Sequence, residues 1–235
     1  MDNVVKTKEY FDKFFLKLDY IKSTKQSIII KSTYDAIRKE LYGEVLDIGS
    51  GCRVDYIRLA DIKRLVGIDL SLNSILNTEI SKNFNVIFIL ADARNLPFKD
   101  NYFDVVISLH TLHHFSNNTL KETRYDLLIT FKEIYRVLKK GGKVLIVDAF
   151  INKTMQKLED SLFKFSVLFF NILNKPIVYY FSINDVVKIL KLVGFSKIEY
   201  KGLNTYNAMF CPFNSSFGIP FRYTPLSHFL VKGLK

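Results

Sequence analysis

Val45-Leu46-Asp47-Ile48-Gly49-Ser50-Gly51-Cys52-Arg53 is an apolar run that empties into a glycine turn. Leu65-Val66-Gly67-Ile68-Asp69 is a second apolar run, and it ends on a carboxylate. Each reads as a buried strand. Placed side by side and parallel, they set a close-approach backbone loop beside an acid able to grip the two hydroxyls of a ribose. Gly49 and Gly51 allow a sharp turn and close ligand approach. A dinucleotide fingerprint needs a third glycine where this chain has Val54, which argues against NAD or FAD.

Working outward, strands and helices alternate. Residues 9–42 read as helical, with Tyr10, Phe11, Phe14, Phe15 and Leu18 at helical spacing. Strands are expected at 44–48, 65–69, 86–91, 104–109 and 143–148. Helices are expected at 54–62, from an N-cap at Ser71 to about residue 82, and at 119–139, where Gly141-Gly142 stops the last one. Near-continuous apolar strands separated by helices imply a parallel sheet covered on both faces. Residues 151–181, rich in Phe, Leu and Ile, read as one or two helices. A helix at 183–193 ends at Gly194, strands follow at 197–201 and 228–233, and residues 202–226 read as a loop. The expected fold is thus α/β, a doubly wound, mainly parallel seven-stranded sheet in one domain. It divides into an N-terminal helical cap (1–43), a core (44–150), an apolar cover (151–181) and C-terminal helix and strands (182–235).

Composition is globular: 49% of the 235 residues are hydrophobic and 24% charged. The net charge of +11 favours anionic partners, although scattered surface lysine accounts for it equally. Cys52 and Cys211 give neither a disulfide framework nor metal-ligand spacing, so no metal is expected. The N-terminus lacks the apolar segment of a signal peptide, and no apolar run is long enough to span a bilayer. A soluble, cytoplasmic protein is expected.

Further motifs follow in order. Ala91-Asp92-Ala93-Arg94-Asn95-Leu96-Pro97-Phe98 comes after the third strand. Tyr102-Phe103-Asp104-Val105-Val106-Ile107-Ser108 leads into His110-Thr111-Leu112-His113-His114-Phe115. Ile134 to Gly142 and Lys143 to Asp148 complete the series. Over residues 44–150, and again over Asp185–Tyr200, the chain resembles the class I S-adenosylmethionine-dependent methyltransferases. Within them it is similar to the group of ubiquinone/menaquinone-biosynthesis and small-molecule methyltransferases.

The resemblance implies a Rossmann-like methyltransferase fold, S-adenosyl-L-methionine as cofactor and S-adenosyl-L-homocysteine as product. It implies that Asp47, Gly49 and Gly51 surround the methionine portion. Asp69 would bind the ribose hydroxyls, Leu70 line the adenine, and Asp92 meet the adenine amine, with Ala93 contributing backbone. Ser108 and Leu109 would contact the amino-acid part, and Tyr10 and Phe11 would close over the cofactor. Asp69 and Asp92 could instead serve as helix caps or surface charges. Many family members carry a third glycine where this chain has Arg53, whose guanidinium would either narrow the loop or pair with the cofactor carboxylate.

A sulfonium-borne methyl is already activated. The protein's task is in-line orientation, which can supply ~7–11 kcal/mol, and proton removal where the acceptor requires it. Three of the four histidines, His110, His113 and His114, fall within five residues. His110 is the first candidate base and His113 the second; a purely structural role for all three remains open. The aromatic cover predicts a lipophilic or aromatic small-molecule acceptor methylated on oxygen or carbon, of prenyl-quinone or related type. It also leaves open a homodimer contact. Lys153, Lys157, Lys164 and Lys175 flank the apolar stretch and leave open peripheral membrane contact. Two other functions stay open. One is tRNA or RNA methylation, since Ser108 to Ser116 is also similar to some tRNA wobble-uridine methyltransferases. The other is non-catalytic S-adenosylmethionine binding.

Overall fold

A computed structural model describes residues 3–15, 28–51, 61–77, 85–203 and 226–235. Its elements in chain order are α1 (Asn3–Phe15), α2 (Ile28–Ile37), β1 (Tyr42–Ile48), β2 (Asp61–Asp69), α3 (Leu72–Leu76), β3 (Val86–Leu90), β4 (Phe103–Leu109), α4 (Leu120–Val137), β5 (Leu138–Ile151), α5 (Lys153–Ile172), α6 (Ile183–Val193), β6 (Ser196–Gly202) and β7 (Leu226–Leu234). A single 3₁₀ turn, Leu112–His114, follows β4. The seven strands form one sheet in the order β3-β2-β1-β4-β5-β7-β6. β7 alone runs antiparallel, paired with β5 on one side and β6 on the other. The order reverses between β1 and β4, so the crevice for a ligand is fixed at the carboxyl ends of those two strands.

Strand alternation explains why both faces are covered. Leu46, Ile48, Val66, Ile68, Val106, Val144 and Ile146 face one layer, where Leu127, Phe131 and Ile134 of α4 and Val186 and Leu190 of α6 pack. The intervening residues Val45, Leu65, Val105, Ile107, Leu145 and Val147 face the other, against Ile37 of α2 and Leu41. A period of two along each strand thus builds two cores from one sequence run.

The ends of the helices follow their capping residues. Thr119 Oγ1 accepts from the Glu122 amide at 3.2 Å and donates to the Glu122 carboxylate at 2.9 Å, opening α4. Ser182 caps α6, and Gly194, at φ +116°, closes it where a Cβ would press on the Tyr135 ring at 3.2 Å.

Three expectations need correction. The helix expected through 139 ends at Val137, and Gly141-Gly142 lie within β5 rather than terminating it. The cause is competition for Leu138, which pairs with Phe103 in the sheet, while the Lys235 ammonium donates to the carbonyls of Tyr135 and Leu138 at 2.7 and 2.8 Å. Asp61 and Ile62, expected to end a helix, begin β2 instead, because Tyr42 and Gly43 extend β1 to meet them. The rest of that expected helix, with Cys52, Arg53 and Val54, lies outside the described residues, as do Leu18, most of the helix expected after Ser71 beyond Asn77, and residues 204–225 with Cys211. Residues 153–172 form one helix, α5, followed by an extended stretch to Phe181.

Phe131 is fully buried between α4 and the sheet. Phe131→Ala is expected to lower unfolding free energy by about 3–5 kcal/mol, read as a lower denaturant midpoint with an unchanged slope.

Candidate active site

A cavity of about 780 Å³ opens at the carboxyl edge of β1, β2 and β4. That lies in the upper part of the roughly 300–1,000 Å³ typical of small-molecule sites, with room for more than one small ligand. Its floor is the loop after β1. Gly49 and Gly51 both adopt positive φ, +67° and +58°. A Cβ on Gly49 would lie 2.2 Å from Thr111 Cγ2, so the turn requires glycine there on two grounds. The Gly49 and Ser50 amides donate to the Ile68 carbonyl at 2.8 and 3.0 Å, tying the loop to β2.

Asp69 joins the parts. Its Oδ2 accepts from the Gly51 amide at 3.0 Å and its Oδ1 from the Ser71 amide at 2.8 Å. Ser71 is the N-cap of α3, its Oγ accepting from Ser74 N at 3.1 Å. Ser71 also donates to Asp12 of α1 at 2.7 Å, which places α1 over the crevice. Burial raises the Asp69 carboxyl pKa, and the amides of Ser71 and Gly51 oppose that shift. The Ser74 hydroxyl and the Leu70 amide also hydrogen-bond this carboxylate and oppose the shift in the same way.

The expected cofactor residues separate into two groups. Asp47, Gly49, Gly51, Asp69, Leu70, Ala93 and Leu109 line the cavity, and so do His110 and His113. Asp92 and Ser108 are not among the lining residues. The Asp92 carboxylate is held by Arg94, whose Nη2 donates to Oδ2 at 2.7 Å and whose Nε reaches both oxygens at 3.1 Å. Arg94 continues to Asp126 at 3.0 Å. Ser108 is buried within β4. Tyr10, Phe11, Phe14 and Phe15 of α1 form an aromatic wall, with Tyr10 and Phe14 stacked at 5.9 Å and Phe11 stacked on Phe15 at 5.8 Å.

These features fit a nucleoside cofactor. A side-chain-free turn admits close backbone approach, a carboxylate at the carboxyl end of β2 stands beside it, and Leu70, Ala91 and Ala93 offer apolar surface for a purine. Among the described residues no cluster of His, Cys, Asp and Glu is arranged to hold a metal ion.

The histidines take three different environments. His110 sits at φ +54°, its Nε2 within 2.9 Å of Thr33 Oγ1 and its ring 5.3 Å from that of His228. Desolvation lowers the pKa of His110 to about 4, against the pull of Asp148, so it is neutral at ordinary pH. His114 lies in edge contact with Phe11 at 4.9 Å, and burial drives its pKa well below the usual value. His113 differs. Its Nδ1 lies 2.8 Å from Asp148 Oδ1, and its ring stacks on Tyr180 at 5.4 Å. Asp148 closes its own shell with the Ala149 amide at 2.7 Å. Burial opposes ionisation of Asp148, but the His113 charge and hydrogen bond outweigh it and hold the carboxyl at about 2. An ionised Asp148 requires a proton on His113 Nδ1 and leaves Nε2 as the basic nitrogen of the neutral ring.

Sequence reasoning gave no role to Asp148, Glu159 or Tyr180. Asp148 carried the same signal as Asp69, an acid at the carboxyl end of a buried strand. Glu159 of α5 and Tyr180 line the cavity, and Glu159 Oε1 accepts from the Tyr180 amide at 3.2 Å. Glu159 Oε2 is buried with no hydrogen-bond partner among the described residues, and desolvation raises this carboxyl to about 7.

Residues 46–146 match the family model described as a methyltransferase domain. The chain is 28% identical over 197 residues to the uncharacterized protein MJ1123 of Methanocaldococcus jannaschii, spanning 81% of this chain and 80% of that one. It is 37% identical over 111 residues to phosphoethanolamine N-methyltransferase 3 of Arabidopsis thaliana, covering 45% of this chain and 21% of the relative. It is also 37% identical over 102 residues to the mouse (Mus musculus) protein named probable tRNA methyltransferase 9B, covering 43% and 21%. The fold matches a chain from the complex of the Haloferax volcanii Trm112 methyltransferase activator with a methyltransferase, at TM-score 0.66 and 16% identity over 95% of this chain and 96% of that one. The chain thus spans most of its archaeal relative and about a fifth of the plant and mouse ones. The strand order and the glycine turn are those of the Rossmann-like methyltransferase fold, and the matched segment is similar to S-adenosylmethionine-dependent methyltransferases.

Two outcomes follow for the site. Asp69→Asn is expected to weaken S-adenosylhomocysteine binding by about tenfold or more, the loss of charge-assisted hydrogen bonds worth ~1.5–3 kcal/mol, measured by calorimetry; unchanged affinity would remove the ribose assignment. Glu159 concerns stability. Its folded pKa of about 7 exceeds the ordinary 4.5, so between these values the native state binds more protons and stability falls as pH rises. Glu159→Gln should flatten that decline in denaturant titrations across the same window.

Proposed function

We propose that the chain transfers methyl groups to a lipophilic or aromatic small molecule held beneath α5, with His113 as general base. The observation that carries this reading is the Asp148–His113 pair at the cavity wall. A carboxylate fixed on Nδ1 sets the tautomer and ring orientation, and it stabilises the imidazolium that forms when Nε2 takes a proton. Such an arrangement suits an acceptor that must lose a proton as it is methylated, such as a hydroxyl or an acidic carbon. When bound, S-adenosylmethionine supplies the activated methyl group.

The chain's own residues do the remaining work. Asp69 holds the sugar end, and Asp47, the glycine turn and Leu109 border the methionine end. The aromatic wall of α1 excludes water. His113 receives the acceptor's proton on Nε2, and Tyr180 keeps the imidazole plane by stacking. Assignment of Asp92 to the adenine amine requires one of its oxygens to turn from Arg94. Phe11, Phe14, Phe170, Pro176 and Val178 on the cavity wall support an apolar acceptor body, and prenyl-quinone-like phenols fit that description. His110 is the weaker base, since its Nε2 is engaged by the Thr33 hydroxyl and its pKa is near 4.

A second reading, methylation of tRNA, is favoured by the net charge of +11 and by the likeness to the mouse protein named for tRNA. Incubation with radiolabelled S-adenosylmethionine separates the two: label in the lipid extract supports the first, and label in bulk tRNA replaces it with the second. With the labelled acceptor in hand, His113→Asn is expected to lower kcat by about 10²–10⁴-fold while S-adenosylhomocysteine affinity stays unchanged. His110→Asn should leave the pH profile as it is. A His113→Asn enzyme with full kcat would discard the base.

A further inference from the structure

We infer that α5 docks flat on an anionic bilayer surface through its outer face. Leu158, Leu162, Phe165, Phe169 and Ile172 recur at alternating spacings of four and three, which places them on one stripe of the helix. All five are solvent-exposed, Phe165 and Ile172 to 70% and 74%. The stripe runs ~21 Å along the helix at 1.5 Å per residue. Leu168 and Leu173, also exposed, widen it. Contiguous apolar surface of this kind, rimmed by polar residues, marks an interaction site.

Charge selects the occupant. Lys153, Lys157 and Lys164 form one exposed row along the edge of the stripe. The two acids of the helix point elsewhere. Glu159 belongs to the cavity wall, and Asp160 is engaged by Arg124 at 2.6 Å and by the Tyr179 hydroxyl at 2.7 Å. An apolar stripe edged by lysines on one side matches an interfacial helix, whose apolar face sinks ~5–10 Å below the headgroups while the cations meet anionic lipid. A second copy of this chain pairing along the stripe would set lysine row against lysine row, and the neighbouring Asp160 is already engaged by Arg124 and Tyr179. On its other edge the stripe passes into Ser166 and Phe170, which line the cavity. The membrane-facing surface is therefore continuous with the cavity rim. No described helix is long and apolar enough to cross a membrane, so the contact is peripheral.

Docking rests on the outer face alone, so it stands or falls separately from the identity of the acceptor. The test is co-sedimentation of the full chain with vesicles of phosphatidylglycerol and phosphatidylcholine in equal parts, against phosphatidylcholine alone. The wild type should bind the mixed vesicles about tenfold or more tightly than the neutral ones, with affinity falling as salt rises. Phe165→Ser/Ile172→Ser should lose binding to both by at least about tenfold with Tm unchanged, because both residues are exposed. Lys153→Gln/Lys157→Gln/Lys164→Gln should reduce binding to the mixed vesicles only. Failure of the wild type to bind the mixed vesicles would overturn the inference. So would a wild-type dimer in sedimentation velocity that Phe165→Ser/Ile172→Ser dissociates, since the stripe would then be a contact between copies.

Discussion

The Asp69 carboxylate is the junction on which the site depends. One oxygen fixes the Gly51 amide and the other the Ser71 amide, so a single side chain holds both the glycine turn and the start of α3. Ser71 then recruits Asp12, and with it α1 and its aromatic wall. The strand order puts Asp69 next to the turn before any ligand arrives, because β2 pairs with β1 in parallel register with Asp47 opposite Gly67. The crevice is preorganised by backbone amides, which carry no rotamer entropy of their own.

Legibility in the sequence followed the range of the interactions. Helix α6 was readable to the residue because its limits are local, a Ser182 cap and a Gly194 stop. The apolar strands were readable because burial on both faces leaves a run with no polar interruption. The end of α4 was not, since it is decided by Phe103 in one strand and Lys235 far along the chain. The acids proposed for the cofactor were named by their position at strand ends, yet the partner that holds Asp92, Arg94, exerts an influence that only geometry displays. Among the histidines, the sequence placed His110 ahead of His113, and their surroundings favour the reverse order. Their ranking comes from Asp148 on one ring and Thr33 on another, contacts separated by 35 and 77 positions in sequence.

Helix α5 works on two sides. Phe163 packs inward beside Tyr179, with ring centroids 5.7 Å apart, while Glu159 faces the cavity and Leu158 and Phe165 face solvent. A 3.6-residue period divides these duties among neighbouring residues. Several of the aromatic and aliphatic residues of the apolar cover, 151–181, are thus on the surface.

The contact between Thr111 and Gly49 has a mechanical meaning. Thr111 Oγ1 donates to the Gly49 carbonyl at 3.2 Å, and its methyl occupies the space where any larger residue's Cβ would stand. The turn that follows β1 and the segment that carries the histidines are thereby meshed like adjacent gear teeth. A side chain at position 49 would therefore strain the turn and press on the histidine-bearing segment at once.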